Sequence, residues 1–239
     1  MRLGVRVGKG CTRLMNSKMK NPDCQRLEMD EIWGFVGKKD RHLRPGDDPQ
    51  FGNVWTFCAI DADTKLVASF KVSGERDERA ARAFMVDVVQ RMKNRVQIST
   101  DGLHAYLESV KFAFGDHVDY GQIIKTYGTA ESIDAQRRYS APKIQTIEKK
   151  SLAGHPDFDL ISTSYVERLN GTTRLHMQRL ACLTYAFSKK RLNFEAAVGL
   201  HFAYYNFVRR HSTIRCTPAM AAGVTSRFWS VGELVEAAA

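Results

Sequence analysis

RLEMDEIWGFV, residues 26–36, decides the fold, because it sets one carboxylate, Asp30, inside an apolar and aromatic run that reads as a strand. Met29, Ile32, Trp33 and Phe35 make surroundings in which a free carboxylate is costly. A metal ion would supply the missing partner; a strand-edge aspartate bonded to a loop is the other reading. The neighbouring Glu31 points to the opposite face of any sheet built on this strand.

Working outward, residues 1–24 form a short basic segment with helical character between Gly10 and Met19, and residues 38–53 read as a polar loop. VWTFCAID (54–61) and KLVASFKV (65–72) are two strands joined through the tight Asp61-Ala62-Asp63-Thr64 turn. Ala81, Phe84, Met85, Val88, Val89 and Met92 recur at helical spacing over 78–93. A strand over 95–100 runs into Asp101, a helix covers 104–114, and 118–124 is a further strand. Residues 127–162 show weak periodicity with Gly128, Pro142, Gly154 and Pro156, and are expected to be a long connection near an active site. A helix is predicted over 164–181, with Val166, Leu169, Met177 and Leu180 on its buried side and Glu167, Asn170, Gly171, Arg174 and Gln178 on its open side. A last long helix spans 193–209.

Three antiparallel strands followed by strand–helix alternation predict an α/β fold: a ribonuclease H-like mixed five-stranded sheet flanked by helices, with a C-terminal helical extension. In that arrangement acids on the first and fourth strands meet near the sheet centre, and a later helix delivers a third. Asp30, Asp101 and Glu167 occupy those positions. Carboxylates gathered from two strands and a helix suit magnesium, a hard ion that takes oxygen ligands and catalyses phosphoryl transfer. Taken alone, Asp101 is equally readable as a helix N-cap, and Glu167 as part of a solvated helix face. Arg174 follows Glu167 by seven residues, nearly two turns, and so lies on the same face, roughly 10 Å along the axis, where a phosphate of DNA would be held. No Ser, Tyr or Cys stands in an evident nucleophile setting, which favours direct in-line attack.

The 239 residues carry a net charge of +10 and 44% hydrophobic content, enough for a real core and suited to a polyanionic partner. Lys189 and Lys190, in SKKR, and Arg209, Arg210 and His211, after the aromatic run Tyr204-Tyr205-Asn206-Phe207, are two basic clusters able to track a phosphate backbone. Both also read as solvated charge. No apolar run reaches transmembrane length, and the first residues lack the apolar core of a signal peptide, so a cytosolic chain without a membrane partner is expected. The five cysteines are odd in number and scattered, without CxxC or zinc spacing, which predicts reduced and mostly buried thiols. No glycine-rich phosphate loop, GxSxG elbow or dinucleotide fingerprint is present.

Together these residues resemble a known family. Asp30, Asp101, Glu167 and Arg174 resemble the acidic triad and downstream basic residue of DDE transposases. Tyr205-Asn206-x-x-Arg209-x-His211-Ser212-Thr213, followed by Thr217-Pro218-Ala219, resembles the closing segment of many insertion-sequence transposases and retroviral-type integrases. MDEIWGFVGKK, VWTFCAIDADTK, STDGLHAY, STSYVERLNGTTR and AFSKK are similar to the IS-one family of bacterial insertion elements, from about Cys11 to the C-terminus. The resemblance implies two Mg²⁺ ions (Mn²⁺ substituting) at Asp30, Asp101 and Glu167, and cleavage of DNA followed by strand transfer. It implies DNA contacts from Arg174, Lys189, Lys190, Asn206, Arg209, Arg210 and His211, element ends and target DNA as partners, a homo-oligomer, and a place on the nucleoid in the bacterial cytoplasm. Residues 1–24 would then be the remnant of a DNA-binding region and 25–239 the catalytic domain with C-terminal helices. Family members carry an N-terminal zinc-binding and helix-turn-helix region that is not evident here, so end recognition is expected from a separately encoded polypeptide of that kind. A truncated, catalytically idle remnant and a general nuclease are the alternatives.

Overall fold

A computed structural model describes residues 2–128, 144–181 and 184–239. Six strands form one mixed sheet: β1 (Arg26–Val36), β2 (Gly52–Asp61), β3 (Val67–Ser73), β4 (Val96–Asp101), β5 (Val118–Tyr127) and β6 (Ile144–Ala153), in the order β3-β2-β1-β4-β5-β6. β1, β2 and β3 run antiparallel, β1, β4 and β5 run parallel, and β6 returns antiparallel on β5. The first five strands reproduce the ribonuclease H-like order expected from the sequence. The sixth is a correction: β6 lies inside the span predicted to be a connection only. Its sequence IQTIEKKSLA is exposed on both faces and so never alternates. Residues 129–143, which also belong to that predicted connection, lie outside the described residues.

The register of β1 sorts its side chains between two layers. Glu31 lies opposite Phe57 of β2, and Phe57 packs on Phe84 and Tyr106. Those two come from α2 (Glu78–Arg91) and α3 (His104–Phe114), which cover one face of the sheet. Asp77 caps α2 by accepting the Ala80 N–H, as a helix preceded by aspartate should. Asp30, opposite Cys58, belongs to the other face, together with Glu28 and Gly34. That face is covered by α4 (Ser164–His176) and α5 (Arg191–Phe207). α4 is shorter than predicted; a 3₁₀ turn, Gln178–Leu180, follows it.

The expected helix near the N-terminus, α1 (Arg2–Lys18), starts earlier than its sequence suggests and packs on α5 and on α7 (Val231–Ala238). Val7, Cys11, Leu14 and Met15 form its buried stripe and join the main core. Gly8 explains why glycines are tolerated here. A methyl at Gly8 would collide with the Ala196 backbone of α5, so the glycine is required by a close helix crossing. A short helix, α6 (Pro218–Ala221), capped by Thr217, and α7, opened by a Ser230–Glu233 capping box, complete the C-terminal extension. Cys11, Cys24 and Cys58 are buried free thiols and Cys216 is half-buried and free, as anticipated; Cys182 lies outside the described residues. No described helix is long and apolar enough to cross a membrane.

Candidate active site

Parallel pairing of Met29 with Thr100 makes Asp30 and Asp101 the next residues along two adjacent central strands. Asp101 ends β4, and one of its oxygens accepts the Leu103 N–H at 3.0 Å, shaping the turn into α3. The carboxylate therefore does part of the local work that a helix-cap reading assigns to it, while its other oxygen faces Arg76.

Glu28, two residues before Asp30 and on the same face, fixes the third acid. Its buried carboxylate accepts the N–H groups of Tyr165 at 2.7 Å and Val166 at 3.0 Å, pinning the first turn of α4 to β1. An acid at a helix N-terminus satisfies donors that the helix itself leaves unpaired. Burial raises the Glu28 pKa, and the two backbone N–H groups counteract it. With that turn fixed, Glu167 follows two residues past Tyr165, and one turn later Asn170 donates from Nδ2 to Asp30 Oδ2 at 2.8 Å. Asp30, Asp101 and Glu167 line one cavity of ≈ 560 Å³ together with Arg76, Lys125 and Thr163.

The electrostatics are those of crowded acids braced by borrowed cations. Burial pushes the Asp30 carboxyl up to about 6; its bond from the Glu31 N–H opposes this, and the charges of Asp101 and Glu167 add to it. Arg76 stands 3.6 Å from Asp101 and donates to Glu31 across 2.8 Å. The Glu31 side chain is fully buried in the α2/α3 layer, where burial pushes its carboxyl up to about 7. Glu167 accepts from the Lys125 ammonium and from Thr163 Oγ1 at 2.7 Å.

Among the described residues no three acid, histidine or cysteine groups are gathered closely enough to hold a metal ion as they stand. Like charges do not converge without a counter-ion, and here Arg76 and Lys125 provide the positive charge. The donor chemistry nevertheless fits a hard cation. All three carboxylates offer oxygen, and the Asn170 side chain that holds Asp30 has its own Oδ1 buried with no hydrogen-bond partner. The Lys125–Glu167 pair is half open to solvent on the glutamate side, and such pairs contribute only about 0–1 kcal/mol, so exchange for a divalent ion meets little resistance.

The other expected residues lie elsewhere. Asn206 is a correction: it is fully buried, accepts the Val67 N–H at 3.0 Å and donates to the Val67 carbonyl at 2.9 Å, and so cannot reach DNA. A polar side chain deep in an aromatic helix end is serving an edge of β3 that would otherwise be unpaired. Arg174 does not line the cavity; its guanidinium ties the Trp33 and Leu180 carbonyls at 3.3 and 2.6 Å, bracing α4 against β1 and the 3₁₀ turn. Lys189 and Lys190 are exposed just before α5. Arg210 is exposed and donates to the Arg215 carbonyl, whereas Arg209 and His211 are half-buried beside a second cleft.

Arg76, Lys125 and Thr163 were not legible as site residues, because strand ends and loops meet only in three dimensions. Glu28 did carry a signal, its period-two spacing from Asp30 on a strand with one acid already singled out.

No family model matches the chain, and no curated protein is significantly similar to it. Solved structures with some likeness include a simian T-cell lymphotropic virus intasome in complex with PP2A regulatory subunit B56 gamma, at 10% identity and a TM-score of 0.46 over 84% of this chain and 55% of that one. A piggyBac transposase synaptic complex with hairpin DNA is similar at 10% identity and a TM-score of 0.42, over 89% of this chain and 51% of that one. The Mos1 mariner paired end complex with Mn gives 14% identity and a TM-score of 0.27, over 86% of this chain and 61% of that one. The chain thus spans about half the length of the first two.

Proposed function

We propose that the chain is a DNA transposase of the DDE type, related to the IS-one insertion elements, that cleaves DNA and joins the freed 3′ end to a second DNA by in-line phosphoryl transfer. The observation that supports this best is the convergence of Asp30, Asp101 and Glu167, from two neighbouring strands and one helix, on a single open cavity rimmed by Arg76 and Lys125. Asp30, Asp101 and Glu167 would hold two Mg²⁺ ions, with Mn²⁺ an acceptable substitute. When bound, such ions lower the pKa of an attacking water or 3′-hydroxyl and neutralise the leaving oxygen.

The chain's own residues do the rest. Glu28 and Arg174 hold α4 against β1, so the three acids keep their spacing through the reaction. Asn170 and the Glu31 N–H orient Asp30 and keep it ionised against burial. Once the carboxylates have another counter-charge, Arg76 and Lys125 are free to contact the scissile phosphate. Lys189, Lys190 and Arg210 are exposed cations suited to flanking or target DNA. Element ends as substrate, a homo-oligomeric assembly, a separate zinc-finger/helix-turn-helix partner and a cytoplasmic, nucleoid-associated location belong to the same proposal, as do a remnant DNA-binding segment over 1–24 and a catalytic domain over 25–239.

The test is a strand-transfer assay with a labelled element-end duplex, Mg²⁺ and an Asp30→Asn control. Joined products that vanish in the control are expected. Cleavage without joining would indicate a nuclease, and DNA binding with no cleavage would indicate an idle remnant.

A further inference from the structure

Around the side of α4 that carries Glu167 lies a second and opposite arrangement of charge. Tyr165, Arg168, Leu169 and Thr172 follow one another at helical spacing and form a wall of a cleft of ≈ 70 Å³. The other wall comes from Lys65, in the β2–β3 turn, and from Arg209, His211 and Tyr205 at the end of α5. Among the described residues, four cationic or titratable basic groups face this cleft and no carboxylate lines it, although the charges of Glu28 and Asp63 reach Lys65. Lys65 is only 6% exposed, yet its ammonium is fixed: it donates to the Ala62 carbonyl and lies 3.2 Å from the Tyr165 ring centroid. The His211 ring meets Tyr205 edge-on at 6.5 Å. Burial lowers the His211 pKa, and the nearby Lys65, Arg209 and Arg168 lower it further, so all four groups share one field.

Collecting like charges in a half-buried cleft is costly unless an anion completes it. The cleft has room for a few waters, and hence for one tetrahedral oxyanion. It falls well short of the ~300–1,000 Å³ of pockets that enclose larger ligands. We propose that Lys65, Arg168, Arg209 and His211 form a phosphate-binding pocket, separate from the carboxylate cavity, that takes one backbone phosphate of the bound DNA strand. The identification of that phosphate with DNA rests on the transposase reading above, whereas the pocket itself does not. Because Arg168 follows Glu167 directly on α4, the pocket grips the strand close to the phosphate at the acids and helps set which bond is presented to them.

The experiment compares duplex binding across salt concentrations for the wild type, Arg168→Gln and a control, Lys111→Gln, on the exposed side of α3. Arg168 is exposed, so its replacement leaves the fold intact. The expected result is binding roughly 5- to 10-fold weaker for Arg168→Gln, with the salt slope reduced by about one, and no such change in the control. A slope equal to the wild type's overturns the pocket. In parallel, orthophosphate is titrated while the His211 ring is followed by NMR. A phosphate-dependent rise in the His211 pKa, lost in Arg168→Gln, supports the pocket, and its absence overturns it. If the wild type binds no DNA, the transposase reading fails, and the orthophosphate arm alone decides whether the pocket serves free phosphate.

Discussion

The two faces of α4 handle charge in opposite ways. On one, three acids crowd a cavity and cations from β5 and from the segment before α2 lean in to neutralise them. On the other, cations crowd a smaller cleft that no acid lines. The acidic face is balanced by side chains that can let go; among the described residues the basic cleft is lined by no acid, although the charges of Glu28 and Asp63 reach its Lys65. On the proposed reading, this contrast separates a site that exchanges its counter-ions during chemistry from one that takes an anionic ligand to supply them.

The sharpest way to break the comparison is at Asp30. Asp30→Asn retains one of the two acceptor oxygens that the Glu31 N–H and Asn170 use and should lower strand transfer by on the order of 10³-fold or more while duplex affinity stays within about twofold. Loss of binding in step with activity would show that the two faces are not independent.

Asn206→Ala should cost about 2–4 kcal/mol in denaturant unfolding, because it strands the Val67 N–H and carbonyl in a buried place. Folded Asn206→Ala protein should bind DNA like the wild type, in keeping with an inward role.

Acid weakens the packing behind α4. His201, bonded to Thr173 Oγ1 at 3.3 Å, has its pKa lowered to about 4, first by burial and then by His176 and Arg209. The unfolded chain binds this proton near pH 6.5, so between pH 6.5 and 4 the unfolded state carries more protons and stability falls with falling pH. The contribution is of order 2 kcal/mol, and His201→Gln should flatten that part of the stability–pH curve.

The smallest effect is expected from Glu28→Gln, which keeps one acceptor for the α4 N-terminus but loses its charge. About 1 kcal/mol of stability should go, with strand transfer falling more than DNA binding. Equal losses would mean that Glu28 supports the whole helix rather than the approach of Glu167 to Asp30.

Much of this was legible in the sequence. β1 to β3 read as apolar runs bounded by polar turns and loops, and α2 and α3 carry their apolar residues at helical spacing because each helix buries one face only. Asp30 stood out since an acid in an aromatic strand demands a partner. β6 was hidden because an edge strand exposed on both faces has no pattern to read. The early turns of α1 were hidden because Gly8 and Gly10 look like helix breakers until a second backbone is laid against them. Asn206 misled for the reverse reason: its neighbours along the chain suggested a surface, while its partner, Val67, lies far away in sequence. Arg76 and Lys125 depend wholly on tertiary contact.

The pinning of α4 by Glu28 has a consequence for how this protein can change over generations. One helix carries Glu167 and Arg168 as consecutive residues on adjoining faces, so an insertion or deletion of one residue near its start would rotate both by about 100° and ruin two sites in a single step. Substitution of individual side chains remains open, but sliding the helix does not. Divergence in this segment should therefore run through point replacements at constant length, with length variation displaced to the loops on either side.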